Sequence, residues 1–100
     1  MIDVPPQSLA IIRNIIKKHI PRYEVRAFGS RTLGMTKPYS DLDLALLGPG
    51  QMAASTLAAL QEDFQESDLP FRVDLVDWHA LSPEFQAVIA KHYEILQSAI

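Results

Sequence analysis

The sequence predicts a small α/β (α+β) domain in which helices pack on one short mixed β-sheet. Three observations carry that expectation. The opening segment repeats apolar residues at helical spacing, three short apolar segments are each bounded by turn residues, and helix-like segments follow the second and third of them. With 100 residues, 48% hydrophobic and 21% charged, the chain suffices for a single domain over residues 1–100 and leaves no room for a second.

After Pro5 and Pro6, Leu9, Ile12, Ile15, Ile16 and Ile20 fall on one helical stripe with Arg13, Asn14, Lys17 and Lys18 between them, so an amphipathic helix runs until just before Pro21. Residues 23–28 alternate between larger apolar and polar side chains and run into Gly29-Ser30, which reads as a strand feeding a turn. Residues 31–40 hold Gly34, Pro38 and Ser40 among polar neighbours, a loop with at most one helical turn at its start. A second strand starts near Asp41 and occupies 42–47, stopped by Gly48-Pro49-Gly50, and a helix rich in Ala, Leu, Gln and Glu follows over 52–64. A third strand is expected at 71–76. Ser82-Pro83-Glu84 then supplies a cap, a first-turn proline and an acidic residue for a closing helix that runs from Pro83 to near the chain's end.

Composition narrows the function. A formal net charge of −3 with scattered basic residues argues against nucleic-acid binding, which draws on a basic stripe. No cysteine is present, so disulfides and thiolate zinc sites are excluded, and no leader-like segment opens the chain; a cytoplasmic location is expected. Apolar runs fall far short of the ~20 residues that cross a bilayer, so a soluble protein is expected.

The chemistry concentrates in acidic residues set inside apolar strands. Asp41 and Asp43 are two apart, which places both carboxylates on one strand face, where their mutual repulsion calls for a compensating cation or a solvated strand end. In the third strand, Arg72, Asp74 and Val76 share a face, and Asp74 completes a three-carboxylate cluster if the strands are neighbours. Three hard oxygen ligands suit Mg²⁺ shared with substrate phosphates. At the strand-to-turn junction, Gly29 and Ser30 can bring backbone amides and a hydroxyl to phosphate oxygens.

These residues carry a resemblance. Gly29-Ser30-Arg31-Thr32-Leu33-Gly34, then Ser40-Asp41-Leu42-Asp43-Leu44, then Val73-Asp74-Leu75 resembles the signature of the polymerase-β-like nucleotidyltransferase superfamily, and the short chain is similar to its minimal nucleotidyltransferase branch. The resemblance implies transfer of a nucleoside monophosphate from ATP to an acceptor hydroxyl with two Mg²⁺ ions. Asp41 and Asp43 would hold both metals, and Asp74 would hold the metal nearest the acceptor and help remove its proton. Gly29 and Ser30 would hold the departing pyrophosphate, with Arg31 and Lys37 adding positive charge. It also implies a partner: the minimal branch is often paired, as antitoxin, with a small helical HEPN-type ribonuclease toxin, whose tyrosine would receive AMP.

Competing readings stand beside these. Asp74 could serve only in a salt bridge to Arg72, Arg31 and Lys37 could be merely solvated, and Asp77 reads as a loop or cap residue. A calcium loop starting at Asp41 lacks its glycine and terminal glutamate. His19, His79 and His92 are too scattered to suggest zinc. Trp78, Tyr93, Ile95, Leu96 and Ile100 could be core or an association surface, and a homo- or hetero-oligomer is open. Alternative functions are a binding module that neutralises its partner stoichiometrically, favoured by exposed apolar residues on the last helix, and an antibiotic-modifying nucleotidyltransferase, which needs a lobe this chain lacks.

Overall fold

The computed structural model describes residues 2–29, 31–34 and 40–99. The elements run α1 (Pro6–His19), β1 (Glu24–Phe28), β2 (Leu42–Leu47), α2 (Ala54–Gln65), β3 (Val73–Asp77), a 3₁₀ turn (Trp78–Ala80), α3 (Pro83–Lys91) and β4 (Glu94–Gln97). One sheet carries all four strands in the order β3-β2-β1-β4. β1 is antiparallel to both β2 and β4, whereas β2 and β3 are parallel and joined through α2, as a parallel pair requires a crossover.

Strand alternation sorts the side chains. Leu42, Leu44 and Leu46 of β2, with Val25 and Ala27 of β1, are fully buried against Ile12 and Ile16 of α1 and Leu60 and Phe64 of α2. Both early helices therefore cover one face of the sheet. Between them, His19 Nε2 donates to Asp63 Oδ2 at 2.8 Å, and Lys18 Nζ stands 3.5 Å from the same oxygen. On the opposite face, Phe28 meets Phe85 of α3 edge-on at 6.1 Å, and the Arg26 guanidinium lies 4.2 Å from the Tyr93 ring centroid and 5.1 Å from that of Trp78. Trp78 and Tyr93 thus pack on a cation of β1.

Capping follows the sequence. Proline opens α1 near its first position, and Ser82 Oγ accepts from Phe85 N at the start of α3, with Pro83 and Glu84 in its first turn. Asp77 is buried and accepts from Met52 N at 2.8 Å and His79 N at 3.2 Å, which ties the approach to α2 to the end of β3.

The chain's end departs from expectation. The last helix stops at Lys91, His92 is already extended, and residues 94–97 form an edge strand on β1. A helix of nine residues has little independent stability. Beside it, β1 offers a free ladder edge and the core offers a place for Leu96, which is buried. Gln97 Nε2 then donates to the carbonyls of Ile20 and Tyr23, both at 2.9 Å, fastening β4 to the turn between α1 and β1. Tertiary pairing here overrides a local helical pattern.

Among the described residues, no helix is long and apolar enough to cross a membrane.

Candidate active site

The same alternation that buries the leucines of β2 turns Asp43 to the face away from α1 and α2. In register, Asp43 lies opposite Phe28 on β1 and opposite Asp74 on β3. Leu42 N donates to Arg72 O at 2.9 Å, so Asp41 falls beside Arg72 at the mouth of the same strand pair. The structure therefore brings Asp41, Asp43 and Asp74 together on one edge of one face.

Their proximity is felt electrostatically. Burial raises the Asp43 carboxyl above its ordinary value, and the charges of Asp74 and then Asp41 push it further the same way, with Arg72 opposing. Arg72 Nε stands 3.0 Å from Asp74 Oδ1 and 3.7 Å from Asp41 Oδ2. The salt bridge weighed in the sequence as an alternative for Asp74 is present, and it spans two members of the acidic cluster.

Gly29 closes the site on the β1 side. Its φ is +85°, a conformation that L side chains rarely adopt, and a β-carbon there would collide with the Asp43 carboxylate. The turn it begins is tightened by Thr32, whose N (3.0 Å) and Oγ1 (2.8 Å) both donate to Gly29 O. Backbone thus passes directly against the Asp43 carboxylate.

Arg31 takes a different place from the phosphate-facing one the signature suggested. It is only 4% exposed, its Nε donates to Ser40 O at 2.9 Å and its Nη1 to Asp3 O at 2.8 Å, and its guanidinium stacks over Phe71 at 4.2 Å. Asp3 N returns a bond to Arg31 O at 2.8 Å, and His92 Nε2 donates to Thr32 O at 2.7 Å. Arg31 is accordingly a clasp that holds the Gly29 turn, the approach to Asp41 and the N-terminal segment together. Ser30 and Lys37 lie outside the described residues.

Sequence reasoning missed the partners of this clasp. Asp3, Phe71 and His92 have no motif to mark them, since their roles arise only from long-range packing. The other histidines are also structural: His79 Nε2 donates to Gly48 O at 2.8 Å, and His19 bonds Asp63.

As a donor set, the three carboxylates suit a hard divalent cation: oxygen ligands on adjacent strands, repelling one another and already attracting a stand-in cation in Arg72. Among the described residues, no three acidic or histidine side chains converge as a finished metal cage. Beside Asp74, between α2 and β3, lies a cavity of about 470 Å³ lined in part by Gln61, Phe64, Phe71 and Arg72.

The chain is similar to known proteins along most of its length. The nucleotidyltransferase domain profile matches residues 9–96. A Haemophilus influenzae protein described as the probable protein adenylyltransferase MntA is 44% identical over 96 residues, covering 96% of this chain and 84% of its own. A toxin–antitoxin crystal structure with AMP-PNP superposes with a TM-score of 0.75 at 24% identity, covering 90% of this chain and 73% of the other. A second, the tri-AMPylated Shewanella oneidensis HEPN toxin in complex with its MNT antitoxin, gives a TM-score of 0.69 at 24% identity over 92% of this chain and 71% of the other. These solved structures share the fold of three helices on a four-stranded mixed sheet. Through the profile match and the MntA-like sequence, the chain belongs to the nucleotidyltransferase domain family.

Proposed function

We propose that the protein is a Mg²⁺-dependent adenylyltransferase that moves AMP from ATP to a tyrosine hydroxyl of a partner protein, and that it acts as the antitoxin of a HEPN-type ribonuclease toxin. The observation that carries this reading is the pairing of Asp43 with Asp74 across parallel strands, with Asp41 beside them and Gly29 pressed on the Asp43 carboxylate. The MntA relative, described as a protein adenylyltransferase, supports the reaction, and the toxin–antitoxin neighbours, one AMPylated and one holding AMP-PNP, support the partner and the nucleotide.

In this reading, Asp41 and Asp43 would hold both metal ions and Asp74 would help to hold one of them. The ions, when bound, neutralise charge at the attacking and leaving oxygens. Asp74 accepts the acceptor's proton as the acceptor oxygen bonds to the α-phosphorus and the bond from that phosphorus to pyrophosphate breaks. Backbone at Gly29, with Ser30, holds the departing pyrophosphate, and Lys37 adds positive charge. Arg31 supports the turn from behind. Positioning does most of the work.

Transfer is tested by incubating the protein with Mg²⁺, a lysate of the source cell and ATP labelled at either the α or the γ phosphate. The reading expects a protein band labelled only from the α position, with the adduct on tyrosine by peptide mass mapping. Label that enters from the γ position only when the protein is added, and not in the lysate alone, would mean phosphoryl transfer and overturn it.

A second reading has its own observation. Phe85 is 39% and Val88 59% exposed on α3, an apolar surface suited to stoichiometric neutralisation of a partner. Neutralisation that persists in an Asp41→Ala/Asp43→Ala variant at equimolar ratio, with no AMP transferred, would favour that reading.

A further inference from the structure

Arg72 precedes β3 and reaches back over the carboxylate cluster, 3.0 Å from Asp74 and 3.7 Å from Asp41. Each contact uses one oxygen of a carboxylate that the proposed function assigns to a divalent cation. A guanidinium and a metal ion on the same carboxylates compete, because each neutralises the same charge and they repel one another. The side chain is 73% exposed and also borders the cavity between α2 and β3, so it is free to move off the cluster without disturbing the core.

We propose that Arg72 is an internal competitor for the metal: it holds Asp41 and Asp74 in the metal-free protein and swings aside on metal binding, so that it weakens and sets the affinity for Mg²⁺. Two geometric features fit this role. Among the described residues the carboxylates do not converge as a finished metal cage, and the cavity that Arg72 borders offers the guanidinium somewhere to go. The inference rests on the metal-binding role proposed for the three aspartates.

The test is calorimetric titration of MgCl₂ into the full chain as wild type, Arg72→Gln, Arg72→Lys and Asp43→Asn. Loss of two exposed ion pairs predicts that Arg72→Gln binds Mg²⁺ about three- to tenfold more tightly, with Arg72→Lys in between. Thermal melts provide a second readout: Mg²⁺ should raise the midpoint of Arg72→Gln more than that of wild type. Equal or weaker Mg²⁺ binding by Arg72→Gln, while wild type binds and Asp43→Asn does not, overturns this inference alone. Absence of Mg²⁺ binding in both wild type and Arg72→Gln overturns the metal-site reading and this inference with it.

Discussion

The two faces of β2 belong to one strand of six residues and obey opposite rules. Leu42, Leu44 and Leu46 face α1 and α2 and are wholly buried, whereas Asp43, one residue away from two of them, faces away into a cluster of like charges. The leucine face is optimised for stability. The aspartate face holds an arrangement that costs stability in the absence of a cation, which is the pattern expected where function rather than folding selects the residue.

That contrast can be broken or sharpened by substitution. The largest effect is expected at Asp74, where Asp74→Asn should lower the AMP-transfer rate by about 10²–10⁴-fold, measured as initial rate of label incorporation, while the fold persists by circular dichroism. On the opposite face, Leu44→Ala should cost about 2–5 kcal/mol in urea denaturation, because the space it leaves lies between two helices and a sheet. Arg31→Ala should behave like a core substitution despite its place in the signature, losing about 2–4 kcal/mol as two carbonyls lose a charged donor and Phe71 loses its stacking partner. A loss of activity without loss of stability there would return Arg31 to the phosphates.

Asp43→Asn sharpens the comparison most, because the two readouts should move in opposite directions. Transfer should fall by at least about a hundredfold, yet in metal-free buffer the melting midpoint should rise, since a half-buried charge and two repulsions are removed. A lower midpoint would show that Asp43 is held by favourable contacts and would sink the contrast between the faces.

The smallest effect concerns the bond between the helices. His19, followed by Lys18, holds the Asp63 carboxyl below its ordinary value of 3.8. A depressed carboxylate contributes stability that is present above its unfolded value and lost as pH falls through its folded one. Wild type should therefore lose slightly more stability than Asp63→Asn on acidification below 3.8, read as the difference in melting midpoints across that range.

Much of this was legible in the sequence because local pattern and tertiary role coincide. The leucines of 42–47 alternate with Asp43 at the strand period, so both the strand and the acidic face could be read from one segment. Gly29 could be placed because a turn after a strand needs its freedom; that its missing side chain also makes room for Asp43 needed the structure. Illegible features were those made by distant partners. The clasp of Arg31 joins Asp3 and Ser40, and Arg26 meets Trp78 and Tyr93, with no spacing to announce either. Residues 94–97 lay in a helix-like context, and only the open edge of β1 decided that they form a strand.

The measurement that tests the central claim most directly compares wild type with Asp41→Ala/Asp43→Ala in one reaction, following label from α-labelled ATP and Mg²⁺ into the acceptor protein alongside the amount of acceptor bound. The double variant should bind the acceptor and transfer no AMP. Transfer at the wild-type rate by the double variant would contradict it.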